Sequence, residues 1–138
     1  MREIFALPEK TSLKQTADQK ITFTAYGTSW DFISFSASST NSILDNVIAS
    51  GGGYFYNPSV WEGVVHTKGA DLIIRDSLFE NNIIGIGLVN ADFSAQTTNV
   101  TVRNNWIGIY VEGSCPDLSG ITISNSQIYD IWPTACQN

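Results

Sequence analysis

Two short apolar patterns alternate along this chain, each appearing four times, and no other feature so narrows what it can fold into. The first reads WDFISF (Trp30–Phe35), WEGVVH (Trp61–His66), IGIGLV (Ile84–Val89) and IGIYVE (Ile107–Glu112). Its central apolar residues align as Ile33, Val64, Ile86 and Ile109, at spacings of 31, 22 and 23 residues. Gly63, Gly85 and Gly108 stand just before three of them, and Phe32 is the exception. The second reads SILDNVI (Ser42–Ile48), LIIRDSL (Leu72–Leu78), VTVRNNW (Val100–Trp106) and ITISNSQ (Ile121–Gln127). Here Leu44, Ile74, Val102 and Ile123 align, and two residues beyond each comes Asn46, Asp76, Asn104 or Asn125.

Each pattern alternates apolar and polar residues over a few positions, the period of a half-buried strand, and none holds a helical period for long. Short strands recurring every 20–30 residues predict an all-β fold, a short right-handed parallel β-helix of about four to five rungs. Ile33, Val64, Ile86 and Ile109 then share one interior file. Leu72, Val100 and Ile121, and Leu44, Ile74, Val102 and Ile123, form others. His66 falls in the file of Phe35, Leu88 and Val111 and reads as a core or rim group. The Asn/Asp file marks the corner where the chain leaves a strand, since Asn tolerates the left-handed backbone and hydrogen-bonds nearby main chain. GGGYFYNPS (Gly51–Ser59) and NADFSAQTT (Asn90–Thr98) read as loops projecting from corners. Residues 21–138 form the coil domain, and residues 1–20 are either a cap over its end or a flexible segment.

Composition limits the partners. Only 14% of residues are charged and the net charge is −6, with Arg2, Lys10, Lys14 and Lys20 holding four of the seven basic groups. A phosphate-tracking surface needs clustered Lys and Arg, so nucleic acid is not an expected partner, nor is an anionic membrane surface. No apolar run reaches the length of a membrane span. MREIFALPEKTSLKQ lacks the apolar core of a signal peptide, which leaves open a signal already removed or a fragment starting at this Met.

TTNVTVRNNWIGIYVEG, GADLIIRDSLFENNIIGIGLV and WDFISFSASSTNSILDNVIASGG resemble the repeat of right-handed parallel β-helix proteins, the pectin-lyase-like superfamily, over about residues 21–131. That resemblance implies an extracellular or cell-surface protein and a choice among functions. One is a structural scaffold or carbohydrate-binding module without catalysis. Another is a polysaccharide lyase or hydrolase. A third is an assembly element that associates through its coil ends. Under the lyase reading alone, Ca2+ would be a cofactor, held by acidic residues against a uronate, with Arg75 or Arg103 as base beside Asp71 or Asp76. A surface ladder in which Asp45 offsets Arg75 explains the same residues without chemistry. No cofactor and no metal site is otherwise expected.

Binding candidates come from the aromatics. Tyr54, Tyr56 and Trp61 cluster with Phe55 around the Gly-rich loop, and Tyr110 should face outward, where rings on a rigid sheet suit sugar stacking. The competing reading folds these rings down as a cover for the coil. Cys115 and Cys136 are 21 residues apart, about one rung, which favours a disulfide closing the last turn over two separate thiols. Asn99–Thr101 also fits a glycosylation acceptor.

Overall fold

The computed structural model describes the backbone of residues 4–7, 12–14, 19–57, 60–113 and 115–136, and the side chains of 19–53, 61–113 and 115–136. Among these residues the chain forms strands β1 (Ile4–Leu7), β2 (Ser12–Lys14), β3 (Ile21–Phe23), β4 (Phe32–Phe35) and β5 (Ile43–Asp45). Next come β6 (Val47–Ser50), β7 (Tyr54–Asn57), β8 (Val60–Glu62), β9 (Val65–Lys68) and β10 (Ile73–Glu80). The last are β11 (Ile84–Val89), β12 (Thr98–Arg103), β13 (Ile107–Glu112), β14 (Ile121–Ser124) and β15 (Tyr129–Trp132), followed by a short 3-10 turn at Thr134–Cys136. One sheet runs β1-β4-β9-β11-β13-β15 and the second runs β14-β12-β10-β5-β2, with β6 bridging β10 and β3. All of these pairs are parallel. The chain passes from one sheet to the other and back, a β-solenoid of about 5 turns. β1 and β2, inside the segment read as cap or flexible lead, extend the two sheets by pairing with β4 and β5. Among the described residues only β7 and β8 break the pattern, as an antiparallel hairpin.

Parallel stacking puts like residues above one another, and the interior column is Ile33–Val65–Ile86–Ile109–Ile131. All five are at most 3% exposed. Val65 therefore holds the place expected for Val64. At this corner the strict alternation breaks, because Val64 and Val65 both pack into the core. The shift of one residue has a large consequence, since side chains on a strand alternate faces. Thr67, not His66, shares the file of Phe35, Leu88 and Val111. His66 instead pairs with Ser34 and Gly87, on the opposite face of the sheet.

The second sheet corrects a further register. Leu44 does sit over Ile74, but Val102 and Ile123 continue the column of Phe79. Val100 and Ile121 stack on Ser77, while Leu72 bridges to Phe93. The cause is a bend in β10 at Asp76, whose φ is +47°. The half of β10 before the bend pairs with β5, and the half beyond it pairs with β6 and with most of β12. Consequently the single corner file expected at Asn46, Asp76, Asn104 and Asn125 divides into two. Asn46, Asp76 and Asn99 align at one kink (φ +62°, +47° and +54°). Gly51, Asn81, Asn104 and Asn125 align at the next corner (φ +77°, +57°, +55° and +53°). Left-handed backbone costs most side chains about 1–2 kcal/mol, and Asn, Asp and Gly bear it best.

The residue after that corner explains why Asn comes in pairs. Asn82 accepts from the Gly52 amide through Oδ1 at 3.0 Å and donates through Nδ2 to the Ala49 carbonyl at 3.1 Å. One rung on, Asn105 accepts from the Asn82 amide at 2.9 Å and donates to the Phe79 carbonyl at 3.0 Å. Each buried amide thus satisfies main chain exposed by the turn of the preceding rung. At the far end, Cys115 and Cys136 form the expected disulfide, with Cα atoms 5.2 Å apart. No helix among the described residues is long and apolar enough to cross a membrane.

Candidate functional site

The outer face of the first sheet carries the file Ser34–His66–Gly87–Tyr110–Trp132. The His66 ring lies over Gly87, and the file ends at two aromatic rings. Gly87 has to be glycine, because a Cβ there would lie 2.2 Å from Nδ1 of His66. The β7–β8 hairpin delivers Trp61 to this face, with its ring 5.7 Å from Tyr110 and tilted from it by only 10°. Trp132 joins at 6.4 Å from Trp61 (21°), and Tyr129 packs 4.6 Å from Trp132. All four rings are half-buried.

Of the residues expected to bind a ligand, the fold therefore brings Trp61 and Tyr110 together. Tyr54 and Tyr56 lie on β7, and their side chains fall outside the described residues. Trp132 and Tyr129 were missed by the sequence reading. The signal was present, since YDIW repeats the apolar spacing of IGIY one rung later, but without the glycine that marks three of the other four copies.

Beside the rings is a recess of about 240 Å3 lined by Trp61, Glu62, His66, Lys68, Tyr110 and Glu112. Its polar groups are partly matched. Lys68 Nζ stands 3.6 Å from Glu62 Oε1, and the Tyr110 hydroxyl donates to Glu112 Oε2 at 3.4 Å. Burial, then the Glu112 charge and its hydrogen bond, push the Tyr110 phenol above its ordinary range. His66 is 1% exposed and its Nδ1 accepts from the Gly63 amide at 3.4 Å. That bond leaves the proton on Nε2, which has no hydrogen-bond partner.

Burial, with a smaller contribution from the charge of Lys68, lowers the His66 pKa from 6.5 to about 4. The unfolded chain takes up this proton near pH 6.5, and the folded chain resists it down to about pH 4. Stability from neutral His66 is thus complete above pH 6.5 and is lost as the pH falls toward 4, by about 3 kcal/mol in all. Urea titrations across that window should show the loss, and His66→Gln should flatten it. An unchanged slope in the variant would contradict the assignment.

The four residues weighed for catalysis lie on or beside the second sheet, each with a local partner. Arg75 Nη2 donates to Gln96 Oε1 at 2.7 Å, and Arg103 Nε lies 2.8 Å from Glu80 Oε2. Asp76 accepts from Asn99 Nδ2 at 2.6 Å, and Asp71 from the Asp92 amide at 2.8 Å. Arg75 does align with Asp45, but Arg103 aligns with Glu80 and Ser124, so Arg75 and Arg103 do not share a file. The bend at Asp76 separates them. Asp71 lines an open cleft of about 470 Å3 with Asp92, Asn41 and Phe93. Among the described residues, no three His, Cys, Asp or Glu side chains are grouped to hold a metal ion.

Fold and outer face together define a parallel β-solenoid bearing an aromatic row. Compared with protein-family models, curated proteins and solved structures, the chain matches none.

Proposed function

We propose that this chain is a glycan-binding module built on a β-solenoid and used outside the cytoplasm. The observation that carries the reading is the group Trp61, Tyr110, Trp132 and Tyr129, held on a rigid sheet face beside a polar recess. Sugar rings offer apolar C–H faces to aromatic rings and hydroxyls to carboxylates, and this site supplies both groups side by side. The disulfide suits an oxidising compartment. Kinship with the pectin-lyase-like superfamily is part of the same proposal and rests on the repeat patterns quoted above.

Near-parallel packing of Trp61 on Tyr110 also favours a second reading, in which the rings serve to pin the hairpin to the coil. Retention on a glycan array and on insoluble polysaccharides separates the two. Trp61→Ala and Tyr110→Ala should each weaken retention at least about fivefold, taking an aromatic stacking contact as worth about 1–3 kcal/mol, as for base stacking. Their melting temperatures should fall only slightly. Wild-type protein that is retained on nothing, with variants that lose stability alone, would favour the pinning role and overturn the binding one.

A further inference from the structure

We infer, building on the glycan-binding reading, that the recess beside Trp61 and Tyr110 accepts uncharged sugar residues and rejects uronates. The charged groups on its wall are Glu62, Glu112 and Lys68, and His66 completes the polar set. Two carboxylates against one ammonium leave the wall net negative. The single cation is already engaged, 3.6 Å from Glu62, and its side chain is 59% exposed whereas that of Glu62 is 13% exposed. The anionic partner is therefore the better sheltered of the two, and the positive charge is the better screened.

A uronate carboxylate entering here would meet Glu112 with no unpaired cation to offset it. It would also give up hydration in a partly enclosed site, which costs a charged group far more than a hydroxyl. The field of the whole chain acts in the same sense, because the net charge is −6. Arg75 and Arg103, which a uronate would seek, are on the second sheet and already engaged with Gln96 and Glu80.

A neutral sugar fits the same groups. Glu112 and Glu62 accept from hydroxyls, and the exposed Lys68 ammonium can donate to one without losing Glu62. Tyr110 and Trp61 supply apolar faces next to these polar atoms. Hydroxyl-rich and uncharged is the ligand chemistry that satisfies every part of the wall without adding a buried like-charge pair.

Calorimetric titration of the intact chain tests this, with the neutral hexamers of glucose, xylose and galactose set against the galacturonate hexamer. At about 10 mM salt, where the screening length is about 30 Å, a neutral hexamer should bind at least about tenfold more tightly than the galacturonate one. The gap should narrow near 1 M salt, where screening falls to about 3 Å, and in Glu112→Gln at low salt. Galacturonate binding as tight as neutral binding would overturn the inference and leave the aromatic site standing as a glycan site, as would a gap that ignores both salt and Glu112→Gln. Binding of no hexamer, neutral or acidic, would overturn the inference together with the reading beneath it.

Discussion

Asn105→Leu should lower the free energy of unfolding by about 3–5 kcal/mol, far more than its size would suggest. The side chain is fully buried, and leucine, with as many side-chain heavy atoms but more bulk, adds some overpacking beside the main change. What changes is that the Asn82 amide and the Phe79 carbonyl, both served by Asn105 within 3.0 Å, lose their partners together. Each orphaned buried group costs about 1–3 kcal/mol. The neighbouring Asn104 is a useful contrast. It is exposed with φ +55°, so Asn104→Ala should cost only the backbone strain, about 1–2 kcal/mol. Urea unfolding followed by tryptophan fluorescence measures both. Near-equal losses in the two variants would mean that the buried amide does not bridge rungs.

Gly63→Ala should be at least as damaging, at about 3 kcal/mol or more, for a different reason. A Cβ at this position would fall 2.2 Å from the Gly87 amide nitrogen and 2.4 Å from the Ile86 carbonyl carbon. Both are main-chain atoms of β11, so no side chain can swing aside, and β9 and β11 would have to part. Gly63 also lies between the hairpin and β9, and its amide donates to His66. The same change should therefore displace Trp61 and weaken glycan retention together with stability. A variant that melts like the wild type would show that the strands do not approach this closely.

How much of this was legible beforehand follows from what a repeat encodes. Composition and period carry the solenoid, because only stacked rungs make apolar residues recur at fixed places. They do not carry register. Val64 and Val65 are both apolar, so sequence alone offers no ground for choosing between them, yet the choice decides whether His66 lies in the core column or on the outer face. The β10 bend is hidden similarly, since Asp76 and Asn81 are both corner residues, five positions apart, and the repeated pattern marks only the first. For the site, alternation within IGIYVE was enough to turn Tyr110 outward. Contact between Trp61 and Tyr110 depends on how an insertion folds back, and no periodicity describes an insertion. Trp132 was concealed by a final copy whose glycine is replaced by Asp130.

The site exists only if the rungs are in the stated register, because a slip of one residue in β13 and β15 would turn Tyr110 and Trp132 into the core. Methyl–methyl nuclear Overhauser contacts in isotope-labelled protein measure that register directly. An unbroken chain of contacts from Ile33 through Val65, Ile86 and Ile109 to Ile131 is the expected result. Contacts that skip Val65, or that link Ile86 to no residue of β13, would contradict the stacking and the aromatic face built upon it.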